Sequence, residues 1–371
     1  MKKKQIKRIQ TTFLLTVTAV ILTSLGCQKV YNAVEKTISE ATITTSYQTE
    51  ILEQLEQVIL GETEATSQSY VISDRNGPAP LPNSECFGQA EDPKELQWLI
   101  DEAQKVLEEQ ELFFSTDLEI FPNSRIHYYL DDTILAITWK QKVENTAFTF
   151  AEVKLMHPSQ FRRHLSGEEF GSGMLSLTSE MAQSVHAVVG CSGDYYSYRR
   201  RGLTIVDGQV KKYVPGLPDT CYVNTDGDLI LERDQNFADM DAVQAYTDEN
   251  DIQFSLSFGP ILVKDGVNVC PNGYDLGEVK QRYSRAAICQ MDKLHYLYIA
   301  AGMDVDTYGL MTMRTFSKHV AETGCRQAYA LDGGQTTTIV LNNEVINHVN
   351  YGSERRISDI IYFATAIPGG E

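Results

Sequence analysis

The sequence predicts an α+β fold: a mixed sheet with hairpins and interspersed helices, preceded by an N-terminal anchor and a helical stalk. Three observations carry that prediction. From about residue 124 the chain becomes a succession of short runs such as IHYYLDDTILAITW, FTFAEVKLM and LHYLYIAA, rich in the β-branched and aromatic residues that suit a pleated surface. Three turns of one design, Asp207-Gly208, Asp265-Gly266 and Asn342-Asn343, lie between aliphatic runs and signal two-residue hairpins. Helical periodicity is confined to a few separated stretches, so the pattern is not a regular βαβ succession.

The elements follow in chain order. The opening MKKKQIKR is basic and the following TTFLLTVTAVILTSLG is uncharged, the pattern of a bacterial export signal. Two outcomes fit: an uncleaved anchor, although the apolar run is short for a spanning helix, or a lipoprotein processing site at Leu25-Gly26-Cys27 that leaves Cys27 acylated. Either way residues 1–29 tether the chain to the membrane and the rest faces outwards. Residues 30–85 read as stalk and linker. Val30, Val34 and Ile38, then Ile51, Leu55 and Val58, recur at helical spacing in a polar background, and 76-NGPAPLPNSE-85 ends any helix with its three prolines. Residues 86–371 form the domain. Asp92-Pro93 is an N-cap with proline at the first helical position, followed by the apolar face Leu96, Leu99, Ile100, Ala103, Val106 and Leu107. Further helices are predicted around Ser179 to His186 and around Thr312 to Thr323, the latter with Met313, Phe316 and Val320 on one side.

Composition narrows the function. A chain of 371 residues and net charge −18 does not present the basic face of a general nucleic-acid binder. Residues 31–120 hold 19 Asp or Glu against 4 Lys or Arg, a balance of −15, so the acidity sits in and near the stalk. Apart from Cys27, six cysteines remain, Cys86, Cys191, Cys221, Cys270, Cys289 and Cys325; without a CxxC spacing they suggest buried thiols or one or two disulfides rather than zinc ligands. No cofactor is predicted. Asp226-Gly227-Asp228 is compatible with calcium but has too few ligands to support a site. The common catalytic signatures (GxSxG, HExxH, a Walker loop, a Rossmann fingerprint) are missing, and the seven histidines are scattered; of these His186 and His348 lie near better candidates.

What stands out is a set of polar, glycine-bearing junctions at the ends of apolar strands. An apolar run ends in SGDYY, where Asp194, Tyr195 and Tyr196 are placed to face a pocket. FGPILVKDG leads into a hairpin, RAAIC begins at Arg285, 330-ALDGGQTTTIV-340 carries Asp332, and 352-GSERRISD-359 carries Glu354 and Arg355. Each alone is an ordinary turn signal.

In this order the junctions resemble the phosphodiester glycosidase family, the N-acetylglucosamine-1-phosphodiester alpha-N-acetylglucosaminidase-like proteins that in bacteria are exopolysaccharide-associated. SGDYY stands for its Asn-Gly-Asp or Asn-Gly-Gly strand end, GLTIVDGQV and FGPILVKDG for its hairpins, and RAAIC for its Arg-Thr-Ala-Ile-Gly strand. GLMT stands for its helix start, LDGGQTTT for its Leu-Asp-Gly-Gly-Gly-Ser run, and GSERR for its Gly-Glu-Arg. The match covers about residues 187–366. Ser192, Ala286, Cys289 and Gln335 depart from the pattern at the Asn, Thr, Gly and third Gly.

The resemblance implies hydrolysis of the bond between a sugar anomeric carbon and a phosphodiester oxygen in a cell-surface or exopolysaccharide-type glycan. An anionic substrate calls for cations, and Arg285 and Arg355 are the candidates. The turn Gly333-Gly334 would add backbone donors, Thr336 and Thr337 hydroxyls, and Tyr196 a further contact. Glycosidic cleavage usually draws on two carboxylates, which makes Asp332, Asp194 and Glu354 the catalytic candidates, Asp332 foremost. The alternative is a carbohydrate-binding or scaffold protein of the cell surface that keeps the fold without turnover.

Overall fold

The computed structural model describes residues 78–107, 110–194, 196–216, 219–274, 279–304 and 309–366. The anchor and most of the stalk lie outside these residues, as does Tyr195. Contacts divide the chain into residues 1–68 and 69–371, and the second unit is the one described below.

In chain order the strands are β1 (Phe87–Ala90), β2 (Ile126–Leu130), β3 (Ile134–Val143), β4 (Thr146–Leu155), β5 (Phe161–Leu165), β6 (Val189–Ser192), β7 (Gly202–Val206), β8 (Gln209–Val214), β9 (Thr220–Asn224), β10 (Leu229–Glu232), β11 (Ile252–Leu256), β12 (Ile261–Lys264), β13 (Val267–Asn268), β14 (Arg285–Asp292), β15 (His295–Gly302), β16 (Gln327–Leu331), β17 (Ile339–Leu341), β18 (Glu344–Val345) and β19 (Asp359–Phe363). The helices are α1 (Gln97–Leu107), α2 (Thr178–Ser184), α3 (Met240–Glu249) and α4 (Met313–Ala321). A nine-stranded sheet runs β1-β2-β3-β4-β15-β14-β16-β12-β13, and a five-stranded one β18-β17-β6-β19-β5. A three-stranded sheet β10-β9-β11 and a ribbon β7-β8 complete the set.

The three predicted hairpin turns are all present. Val206 pairs with Gln209, Lys264 with Val267 and Leu341 with Glu344, each across two residues at positive φ, the geometry whose twist matches that of the flanking strands. The sheets correct the prediction in one respect: strand neighbours pair antiparallel in every ladder among the described residues, so the sheet is not mixed. Hairpins account for much of this, because a short turn can join only antiparallel neighbours.

Layering explains the residue pattern. Every residue of β4 is buried, which requires cover on both faces of the large sheet. On one face Phe148, Phe150 and Trp139 pack with Leu96, Leu99 and Ala103 from the α1 region and Phe316 and Val320 of α4. On the other, Ala151, Val153, Tyr296 and Tyr298 pack against Val189 and Cys191 of β6, Ile339 of β17 and Ile361 of β19, together with Val223 and Phe254 from the three-stranded sheet. Outside that second layer lies α2, whose Met181 and Ala182 pack on Val340, Ile360 and Tyr362.

The helix starts follow the sequence signals. Asp92 accepts a hydrogen bond from Lys94 N at 3.0 Å, and a 3-10 turn opening on Pro93 feeds α1. Thr312 caps α4 by accepting from Thr315 N at 3.2 Å. The predicted linker behaves differently in its described part. Ala79 is buried, its N–H donates to Val185 O, and its carbonyl meets His186 Nδ1 at 2.7 Å. This segment is therefore docked on the domain beside α2. The six cysteines 86, 191, 221, 270, 289 and 325 are thiols, without a disulfide among the described residues.

Candidate active site

The ends of three strands from two sheets bring the site residues together. β16 ends at Leu331 and is followed by Asp332; β6 ends at Ser192, two residues before Asp194; β19 begins at Asp359. The large sheet and the five-stranded sheet pack face to face, which brings these termini to one edge of the shared core.

Asp332 leads a turn whose two glycines have separate reasons. A Cβ on Gly333 would lie 2.3 Å from the Ser284 carbonyl oxygen, so only glycine permits this approach to the start of β14. Gly334 has φ +67° and donates its N–H to that same carbonyl at 2.9 Å. Burial raises the Asp332 carboxyl to about 6, and the charge of Asp194 adds to the rise. A hydrogen bond from Thr336, the Arg355 guanidinium and the Gly333 N–H oppose it. A carboxyl poised near 6 exchanges its proton close to neutral pH, as general acid–base chemistry requires.

Asp194 is held differently. It is buried, and Arg199 grips it with two bonds, Nη1–Oδ1 at 3.3 Å and Nη2–Oδ2 at 3.0 Å. Behind it sits Asp359, whose carboxylate accepts from Asp194 N at 3.1 and 3.2 Å and from Arg163 Nε at 2.7 Å. Burial and the neighbouring Asp194 push the Asp359 carboxyl upward, while Arg163 and the Asp194 N–H draw it back. Gly193 makes this packing possible: a Cβ there would fall 2.7 Å from Asp359 Oδ2 and 2.9 Å from its carbonyl oxygen. Tyr196 closes the cluster, stacked on Phe170 at 5.3 Å with Arg163 over its ring at 5.5 Å. Burial raises its phenol.

The other candidates fall into two groups. Arg355 is partly buried, stacks on Tyr198 at 5.2 Å and acts on Asp332, so it belongs to the centre. Thr336 donates to Gly333 O at 2.8 Å. Thr337 Oγ1 is buried without a hydrogen-bond partner and lines a narrow cleft of about 10 Å³, room for one water-sized group, shared with Ser284, Asp304, Asn347 and His348. Arg285 has structural engagements. Its Nε donates to Met311 O at 3.3 Å and its Nη2 to Gln281 O at 2.7 Å, within a buried pocket against Tyr283. Glu354 has them too, accepting from Ser179 N at 3.0 Å and Ser179 Oγ at 2.5 Å at the start of α2. The backbone donors expected of the glycine turn are in use, Gly334 toward Ser284 and Gly333 toward Asp332.

Sequence reasoning missed Asp359, Arg163, Arg199 and Tyr298. Two arginines inside the short strand FRRHL were a usable signal, since a buried strand tolerates a guanidinium only beside an acid. The substituted Ser192 meets Tyr298: their hydroxyls lie 2.8 Å apart, and Tyr298 in turn feels the charge of Asp332. The second substituted position, Gln335, donates to Ser353 O at 3.0 Å, joining the Asp332 turn to the segment that carries Arg355.

The antiparallel α+β scaffold thus holds a raised carboxyl at a glycine turn, with a guanidinium and a second carboxylate within electrostatic reach of it. The model of the phosphodiester glycosidase family matches residues 185–364 of the chain. Among solved structures it resembles the catalytic domain of zebrafish N-acetylglucosamine-1-phosphodiester alpha-N-acetylglucosaminidase, auto-inhibited by its pro-peptide, with TM-score 0.51 and 16% identity over 71% of this chain and 93% of that one. A hypothetical protein from Synechocystis follows with TM-score 0.46 and 13% identity over 67% and 64% of the two chains. At 16% identity the likeness to the zebrafish catalytic domain concerns the fold. None of the curated proteins matches.

Proposed function

We propose that this protein is an extracytoplasmic hydrolase that cleaves the glycosidic bond of a sugar-1-phosphodiester in a cell-surface or exopolysaccharide-type glycan, tethered to the membrane through residues 1–29 or a lipid on Cys27. The observation that carries the reading is Asp332, whose carboxyl burial raises to about 6, with the Arg355 guanidinium within electrostatic reach. In its ionised form it stabilises positive charge at the anomeric carbon or activates water; in its protonated form it assists the departing phosphate oxygen. Phosphate leaves more readily than an alkoxide, so the first role has the larger share. Arg355 offsets the phosphate charge, and Thr337 Oγ1 offers a hydroxyl to sugar or phosphate. Burial keeps Asp332 protonatable, with a smaller contribution from the charge of Asp194, and Arg199 and Asp359 hold Asp194 in place. Among the described residues no helix is long and apolar enough to cross a membrane, and the proposed anchor lies outside them.

The test is release of free sugar from a panel of sugar-1-phosphate methyl diesters, comparing the full chain with Asp332→Asn. Loss of about 10²–10⁴ in kcat with binding retained is expected for a group acting in proton transfer. Release at an unchanged rate by the variant removes Asp332 from the chemistry. Binding of glycan with no release from any diester favours the scaffold alternative.

A further inference from the structure

We infer that the substrate is a polyanion, a glycan with repeating phosphodiesters, and that a basic face beside the Asp332 centre holds the units flanking the scissile one. The inference takes its substrate chemistry from the hydrolase reading above.

The face begins at Tyr198, which is 44% exposed and carries the Arg355 guanidinium on its ring. Directly after it come three arginines. Arg199 turns inward to Asp194, while Arg200 and Arg201 are exposed. The β7–β8 ribbon then returns beside them, Gly202 pairing with Val214 and Thr204 with Lys212. Lys212 donates to the Arg199 carbonyl, and Lys211 is exposed next to it. Among the described residues Arg200, Arg201 and Lys211 have neither an ion pair nor a hydrogen bond. Asp194, the acid that precedes Arg200 and Arg201 in sequence, is taken by Arg199.

This concentration runs against the chain as a whole, which carries −18. A protein so acidic repels a polyanion at long range, and cations without acidic partners at one place set both where and in which direction such a chain docks. A single phosphodiester is already matched by Arg355 at Asp332. Arg201 lies three positions beyond Tyr198, a reach of up to roughly 10 Å of chain, longer than one phosphate. The exposed arginines therefore face neighbouring charges of the same polymer. Because screening acts over about 8 Å at physiological salt, such contacts are local and salt-sensitive.

The experiment compares a single sugar-1-phosphate methyl diester with an oligomer of six such phosphodiester-linked units, using the full chain and Arg200→Ala/Arg201→Ala. The wild type is expected to show a KM at least tenfold lower for the oligomer, an advantage that shrinks as salt rises from about 20 to 300 mM. The double variant loses most of that advantage while its rate on the single diester changes less than twofold. Equal KM values for both substrates, or an oligomer advantage indifferent to salt and to the substitutions, overturn the inference. Binding of the fluorescently labelled oligomer separates this inference from the hydrolase reading. An inert wild type that binds the oligomer through Arg200 and Arg201 upholds the basic face and refutes hydrolysis, whereas hydrolysis of the single diester without preference for the oligomer does the reverse.

Discussion

The acids of the site occupy two contrasting environments. Asp194 and Asp359 are sealed from water and matched by Arg199 and Arg163, whose guanidiniums are themselves buried. Asp332 sits at a turn, within electrostatic reach of Arg355, and has a carboxyl raised to about 6. The difference separates positioning from chemistry. Burial lifts the Asp359 carboxyl to about 6 as well, but giving up its charge would leave the Arg163 guanidinium it meets at 2.7 Å unmatched in a poor solvent. A carboxyl destabilised by burial and only partly compensated can change charge near neutrality.

The largest effect expected from breaking this contrast is at Asp359. Asp359→Asn takes from the buried Arg163 its counter-charge at 2.7 Å, leaving only Asp194 at 3.9 Å, and lowers stability by about 3–5 kcal/mol, read from the denaturation midpoint. If the loss is below about 1 kcal/mol, the buried pair is not holding the site. Next comes Gly333→Ala. Its Cβ would meet the Ser284 carbonyl oxygen at 2.3 Å, a backbone atom that cannot step aside. A cost of about 2–3 kcal/mol is expected, toward the upper end of overpacking, together with loss of activity as Asp332 is displaced.

Asp332 itself is expected to act in the opposite direction. Its folded-state pKa, about 6, lies above the ordinary 3.8, so the native state binds more protons between those values. Stability from this group is therefore greatest below about pH 4 and declines as pH rises through 6. Asp332→Asn removes the decline, and at pH 7 the variant is more stable than wild type by about 1–3 kcal/mol. Urea denaturation of both proteins at pH 4, 5, 6 and 7 checks the sign; a wild type that gains on Asp332→Asn as pH rises reverses it. The smallest effects are at the rim. Glu354→Gln weakens the start of α2 by about 1 kcal/mol without abolishing turnover if the glutamate only caps Ser179, while a 100-fold loss of kcat with stability preserved restores it as a catalytic acid. Gln335→Gly removes the exposed bonds from its amide to Ser353 O and Oγ and shifts stability by less than about 1 kcal/mol.

Much of the architecture was legible because its determinants are local. The Asp-Gly and Asn-Asn turns require positive φ, and Asp92-Pro93 supplies a cap and a ready-made first helical residue. Those rules hold wherever the segment ends up, and the turns and the helix appear where they were predicted. The prediction of Asp332 rested on motif order, and the structure adds its environment. The roles proposed for Arg285 and Glu354 met competing partners that sequence spacing does not reveal: Met311 and Gln281 for the arginine, Ser179 for the glutamate. Arg285 and Gln281 are close in sequence, but Ser179 lies 175 positions from Glu354.

The sequence by itself determined the hairpins, the helix starts, the glycine turn after Asp332 and the order of the junctions, since each depends on the dihedral preferences and capping of a few adjacent residues. Only the tertiary structure decided which charges are spent on one another. Arg163 meets Asp359 across 196 positions, and Asp194 sits on that pair because Gly193 has no side chain to keep it away. Ionisation of Asp332 is likewise set by burial between two sheets. Desolvation and Coulomb interaction depend on distance through space, which a linear chain does not specify until it is packed.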